Sequence, residues 1–213
     1  STDTAFAALK EDGSVITWGY ASGGPPSDVA SQLSSGVSQL FTTIYAFAAL
    51  KDDGSVISWG KDSRGGDSSS VSSSLSSGVS QLFSTRSSFA ALKTDGSVVT
   101  WGAGYSGGDS SAVSSSLTSG VSKIFSSGRA FAALKDDGSV VTWGSDIWGG
   151  DSSRVSTSLA SGVVHVVSNF FAFAALKDDG SVITWGDSSR GGYQPSSLSS
   201  GVSQIISNGW STF

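Results

Sequence analysis

The 213-residue sequence has no cysteine, no methionine, one histidine and three prolines, and only 14% of its residues are charged. Without cysteine there are no disulfides, no thiolate-held zinc and no thiol nucleophile, and nothing follows about the redox compartment. His165 stands alone in the Val-rich run 162–167, so neither a histidine metal cluster nor a Ser-His-Asp triad can be assembled. A buried strand position is the expected place for it. No apolar run reaches the ~20 residues of a membrane-spanning helix, and no charged-then-apolar leader opens the chain, so membrane insertion is not expected. Basic residues are scarce too, with 12 Lys and Arg against 17 Asp and Glu for a net charge of -5. Nucleic-acid binding needs a basic stripe that displaces counterions, and that class is set aside.

What the sequence does have is repetition. Residues 172–186 read AFAALKDDGSVITWG, and near copies occupy 5–19, 46–60, 88–102 and 130–144. The Phe of each copy stands at 6, 47, 89, 131 and 173, a spacing of 41, 42, 42 and 42. Each copy reads as a strand, an Asp-Gly turn and a second strand. In the last copy, a two-residue type I′ turn at Asp179-Gly180 predicts pairing of Lys177 with Val182 and of Ala174 with Trp185. Both faces of such a hairpin are largely apolar, so both must be covered, and in a repeated chain the neighbouring copies are the natural cover.

Every copy after the first is preceded by a short apolar segment, at 36–41, 78–83, 120–125 and 162–167, read as a third strand. A fifth segment, 201–206, has no complete hairpin after it. The expected fold is therefore all-β, a five-bladed β-propeller of ~42-residue tandem repeats forming one domain over 1–213. The C-terminal strand 201–206 is expected to pair with the N-terminal hairpin and close the ring. Serine-rich connectors join the units; in one of them Asp67 is placed to cap a helical turn with Val71 and Leu75 inward, and a short outer strand fits the same spacing.

The stretch 79–111, VSQLFSTRSSFAALKTDGSVVTWGAGYSGGDSS, resembles the repeat of the RCC1 (regulator of chromosome condensation) family, and the likeness runs over essentially the whole chain. The resemblance implies propeller blades and a protein-binding platform. The units here are shorter than that family's, five stand where seven are usual, and Ala5, Ala46, Ser88, Ala130 and Ala172 replace a frequent His. Exchange-factor activity on a small GTPase is therefore not carried over. By analogy with extracellular arrays of such units, a secreted or cell-surface protein is expected.

The repeated residues are best read as framework. Trp18, Trp59, Trp101, Trp143 and Trp185 fit a core position, each opposite a small Ala, better than a ring of ligand-stacking groups. The acidic turns lack the alternating spacing of a calcium loop, so turn chemistry accounts for them. No catalytic, cofactor-binding or metal-binding residue is assigned, and no enzyme activity is expected.

The copies differ in their loops. If the strands of each unit run up, down and up, the loop before the second strand and the loop after Trp-Gly share one rim, opposite the Asp-Gly turns. Tyr20, Tyr45, Arg64, Arg86, Tyr105, Arg129, Trp148, Phe170, Phe171, Arg190 and Trp210 gather there. These are residue types enriched at interface hot spots. The rim is the candidate binding face, for a protein partner or self-assembly, or alternatively for a glycan held between blades as in a lectin. The plainer reading makes these loops solvent-facing tips where substitution is cheap, with Phe170 and Phe171 plugging the centre.

Overall fold

The structure, a computed structural model, describes residues 2–3, 5–19 and 27–208. Each repeat forms one antiparallel sheet. The first has two strands, β1 (Ala5–Leu9) and β2 (Val15–Gly19). The next four have three each: β3 (Val37–Thr42), β4 (Ala46–Lys51) and β5 (Val56–Gly60); β6 (Val79–Ser84), β7 (Ser88–Lys93) and β8 (Val98–Gly102); β9 (Val121–Ser126), β10 (Ala130–Lys135) and β11 (Val140–Gly144); β12 (Val163–Ser168), β13 (Ala172–Lys177) and β14 (Val182–Gly186).

The hairpins are set one residue away from the expected register. Leu176 pairs with Val182, Ala175 with Ile183, Ala174 with Thr184 and Phe173 with Trp185. The reason is the turn. Lys177 N–H donates to Ser181 O at 2.9 Å and Gly180 N–H to Lys177 O at 3.0 Å, so three residues form the loop. Gly180 carries the positive φ, 76°, and no non-glycine residue among those described has one. This is a three-residue hairpin ending in a left-handed Gly, whereas a type I′ turn would have required positive φ at Asp179 as well.

The shift decides what the tryptophan touches. Each indole stacks on the Phe of its own hairpin, with ring centroids 5.2 to 5.5 Å apart in the five copies, and the expected Ala partner is not opposite it. The tryptophans after the first are buried, as expected of core. One hairpin face carries Phe173, Ala175, Ile183 and Trp185; the other carries Ala174, Leu176, Val182 and Thr184.

Sheets pack face to face with unlike faces in contact. Ala130, Ala132 and Leu134 of β10 meet Phe173, Ala175, Ile183 and Trp185 of the following sheet, with Leu159 of the connector between them. The same set recurs at the other three junctions. The connectors are helical turns: α1 (Ser27–Gln32) and 3-10 turns such as Ser69–Val71, where Asp67 accepts from Ser69 N–H at 2.8 Å. Their leucines, Leu33, Leu75, Leu117 and Leu159, are buried.

The paired glycines after the second, third and fourth Trp-Gly build a socket for the next sheet. Gly65 has φ of 99°, and a Cβ on it would lie 2.7 Å from Cδ2 of Phe89; Gly107 and Gly149 stand likewise against Phe131 and Phe173. Their carbonyls accept the indole N–H groups of Trp101, Trp143 and Trp185 at 3.0 to 3.1 Å. A bare, left-handed Cα is the condition for the aromatic pair to seat there.

The pairing of 201–206 with the first hairpin is not among the strand pairings of the described residues: β1 pairs only with β2, and 201–208 is in no strand. That segment nevertheless lies against the last sheet as the earlier third strands lie against theirs. Val202 N–H donates to Gly180 O at 2.9 Å, as Val163 does to Gly138 O, and Ser207 Oγ donates to Ser168 O, as Ser168 Oγ does to Ser126 O. His165 is exposed on β12, beside Phe125, because its strand bulges after Val163; the expected buried position is not observed.

Candidate functional site

The two variable loops of each unit meet at one rim because Ala46 pairs with Gly60, Ser88 with Gly102, Ala130 with Gly144 and Ala172 with Gly186. Lys61 N–H donates to Tyr45 O, and the later sheets repeat the bond from Ala103 to Ser87, Ser145 to Arg129 and Asp187 to Phe171. A small polar residue completes the clamp. Thr43 Oγ1 donates to Arg64 O, Thr85 Oγ1 to Ser106 O, Ser127 Oγ to Trp148 O and Asn169 Nδ2 to Arg190 O, at 2.9 to 3.1 Å. In the other direction Ala46, Ala130 and Ala172 N–H donate to the same side chains. These four residues are outside the candidate rim set, and their 42-residue recurrence just ahead of the second strand is the signal in the sequence that marks them.

Neighbouring loops are also tied to each other. Asp3 N–H donates to Ile44 O, Ile44 N–H to Arg86 O, Arg86 N–H to Gly128 O and Gly128 N–H to Phe170 O, at 2.8 to 3.0 Å. The rim side chains therefore project from one hydrogen-bonded row, which restricts how far each can move relative to the next.

On that row, cations and rings alternate. Lys61 and Arg64 lie over Tyr45, at 5.4 and 5.5 Å from its centroid. Arg64 also lies over Tyr105 at 5.5 Å, hydrogen-bonds the Tyr105 hydroxyl, and donates to Ser87 Oγ at 2.8 Å. Arg129 is held between Tyr105 at 5.6 Å and Trp148 at 4.7 Å. Trp148, Phe170 and Phe171 form a three-ring cluster with centroids 4.9 to 5.0 Å apart. Arg86 stands over Phe170 at 5.7 Å and Arg190 over Phe171 at 4.0 Å. Nine of the eleven candidate rim residues thus lie in one continuous strip; Tyr20 and Trp210 fall outside the described residues.

Burial along the strip is partial. Tyr45 and Tyr105 are exposed, Tyr105 by 51%, while Arg64, Arg86, Arg129, Trp148, Phe170 and Phe171 are half-buried. Of the arginines, Arg190 has a carboxylate within reach, Asp187 at 3.8 Å. Arg64, Arg86 and Arg129 make no ion pair among the described residues, although Asp62 and Asp146 share the rim loops. Their charge is oriented by rings and hydroxyls and remains available to an anionic group. Gly128 makes room for the cluster, since a Cβ there would come within 2.5 Å of Trp148 and 2.9 Å of Phe170.

The opposite rim differs in both composition and chemistry. Asp53, Asp95, Asp137 and Asp179 each accept from the backbone N–H and hydroxyl of the serine two residues on, at 2.6 to 2.9 Å. These serine bonds, the hydroxyl first, hold the carboxyls below the usual range, and Asp12, bonded likewise to Ser14 and to Lys10, is lowered to about 2. The turn carboxylates are thus engaged in closing their own loops.

No protein-family model matches the sequence, and comparison with curated proteins finds no match. Solved structures do show a likeness. Human WBSCR16 is similar over 87% of this chain and 60% of its own, at 20% identity and a TM-score of 0.51. The ectodomain of the Physcomitrella patens receptor kinase CR4 matches 87% of this chain and 49% of its own, at 18% identity and 0.51. Prp20p from Saccharomyces cerevisiae matches 87% and 56%, at 16% identity and 0.50. The chain therefore spans about half to three-fifths of the length of these structures. Identities this low carry the fold, which is an RCC1-like β-propeller arrangement of blades, and no activity.

Proposed function

We propose that this RCC1-like propeller is a non-enzymatic protein-binding module whose partner docks on the arginine and aromatic rim. The observation that carries the reading is the row from Tyr45 to Arg190, in which guanidinium groups are pre-oriented by rings they already touch. Tyr, Trp and Arg carry most of the energy at protein interfaces, and groups ordered before binding lose less entropy on it. A chain with a net charge of -5 that places Lys61, Arg64, Arg86, Arg129 and Arg190 along one rim is built to receive an acidic, partly apolar segment. Among the similar structures, Prp20p is described with binding to Gsp1p and histones, and yeast RCC1 bound to Kap60. That is support by analogy of fold.

The glycan alternative asks a sugar to lie flat on a ring. Arginines already stand over Tyr45, Tyr105, Trp148 and Phe171, so a sugar would have to displace a guanidinium at each, and we favour the protein partner. The test is a binding comparison of the wild type with the double variant Arg129→Ala/Trp148→Ala at the rim and with Asp95→Asn/Asp137→Asn at the turns. Partners retained by the turn variant and lost by the rim variant, with affinity falling as salt rises, are the expected result. Partners retained equally by both would refute the rim as the site, and saturable binding on a glycan array would favour the lectin reading.

A further inference from the structure

The two ends of the chain carry the two halves of one more inter-blade junction. At the first end, Phe6 and Trp18 stack at 5.5 Å like every other Phe-Trp pair, yet they are 52% exposed, and Ile16 beside them is 54% exposed; their counterparts Phe47 and Trp59 are each 1% exposed. At the other end, Gly191 has the same left-handed conformation as Gly65, Gly107 and Gly149, with φ of 109°. Those three each lie against a Phe ring. Among the described residues, Gly191 has only Asn169 and Ala172 within 4 Å of where a Cβ would be. One end is an aromatic plug without a socket, and the other a socket without a plug.

The intervening segment follows the same logic. Leu198 and Val202 align with Leu159 and Val163, which are buried, but are themselves only half-buried, and Ile206 is 84% exposed. In the internal blades the third strand pairs with the next hairpin, Val166 with Ala175 and Ser168 with Phe173. The matching partners are Ile205 with Ala8 and Ser207 with Phe6. Segment 201–207 already rests on the last sheet in the place of a third strand, so what it lacks is a hairpin.

We infer that the occupant of this junction is a second copy of the chain: the β1–β2 hairpin of one molecule seats on the Gly191 socket and the 201–207 segment of another. The internal junctions set the geometry, since each is the same unlike-face contact, and among the described residues both halves stand open within a single molecule. Such a contact is heterologous, with different surfaces on the two partners, and adds molecules in one direction. It buries Phe6, Ile16 and Trp18, completes the two-stranded first sheet, and gives the Trp18 indole N–H the carbonyl of Gly191 to donate to.

The absence of cysteine makes a direct test possible. Ala8→Cys and Ile205→Cys variants, each otherwise wild type, are oxidised alone and mixed, alongside the chain carrying both cysteines. The expected result is a disulfide-linked heterodimer from the mixture at several-fold the yield of either homodimer, a ladder of multiples of 21.5 kDa from the double variant, and a concentration-dependent wild-type mass in sedimentation. A double variant that closes into a single-chain species at every concentration would overturn the inference in favour of ring closure within one molecule. No mixed disulfide, with a wild-type mass fixed at one chain, would overturn it outright. Trp18→Ala, exposed in the isolated chain, supplies a check without cysteine: it should lose the association while keeping the far-ultraviolet spectrum.

Discussion

The ring of Phe173 lies on the indole of Trp185 with centroids 5.3 Å apart and planes 15° from parallel, and both side chains are buried against the preceding sheet. This pair exists because the turn has three residues. A two-residue turn would have set Trp185 opposite Ala174 and turned Phe173 to the other face. The consequences of the arrangement can be measured at several positions.

At the junction, Phe131→Ala removes a fully buried ring that fills the Gly107 socket. The loss should be about 3–5 kcal/mol of unfolding free energy, as for other buried aromatics. Denaturant unfolding of the variant against wild type reads it directly, and a loss below about 1 kcal/mol would refute the socket as a packing site.

At the rim, Arg129→Ala should leave stability within about 1 kcal/mol of wild type, because a half-exposed cation over rings contributes little. Partner affinity should fall about tenfold or more. Arg129→Lys should not restore it, since an ammonium lacks the flat guanidinium that fits between Tyr105 and Trp148. Full recovery with Lys would show that charge alone matters there.

Gly128→Ala places a methyl where Trp148 and Phe170 now sit. Overpacking of this kind costs about 1–3 kcal/mol. The more telling readout is the near-ultraviolet circular dichroism, which should change as the three-ring cluster is displaced; an unchanged spectrum with unchanged stability would contradict the packing described.

Acid should weaken the fold through the turns. The carboxyls of Asp12, Asp53, Asp95, Asp137 and Asp179 are lowered by their serine bonds, so the folded state binds protons less readily than the unfolded chain. Their contribution is complete above the ordinary carboxyl value of 3.8 and is lost as pH falls from there toward about 2, the value of Asp12. The groups are exposed, so each effect is small. Replacing Ser55, Ser97, Ser139 and Ser181 together by Ala should flatten that decline; an unaltered acid limb would show the serine bonds to be incidental.

Much of this was readable from residue order. The five hairpins, the third strands at 36–41, 78–83, 120–125 and 162–167 and the grouping of variable loops at one rim follow from a repeat whose turns and apolar runs recur at fixed spacing. The expected fifth strand at 201–206 is not formed, and the spacing of Val71 and Leu75 leaves helical turn and outer strand equally open. What escaped were features set by single residues in three dimensions. The turn length at Asp179-Gly180 depends on whether Asp adopts positive φ, which the dipeptide leaves open. The Gly65, Gly107 and Gly149 sockets escaped because nothing in one unit reveals that a ring from the next will press on them. The exposure of His165 came from a bulge after Val163, which moves a side chain to the other face without any change in composition. The alternation of cations and rings required knowing which loops of adjacent sheets are hydrogen-bonded together.

The socket has a further consequence, for how the chain can change length. Since Gly65, Gly107 and Gly149 receive interchangeable plugs, excising 42 residues would bring Phe131 and Trp143 onto Gly65 with no new kind of contact to invent. The packing is thus blind to how many units precede or follow, much as a zip is blind to the number of its teeth. The rim has no such indifference: the same excision would strike particular letters from the row of cations and rings. Length and recognition are written in different parts of the same 42 residues, and a deletion that leaves folding intact while erasing binding would display that division.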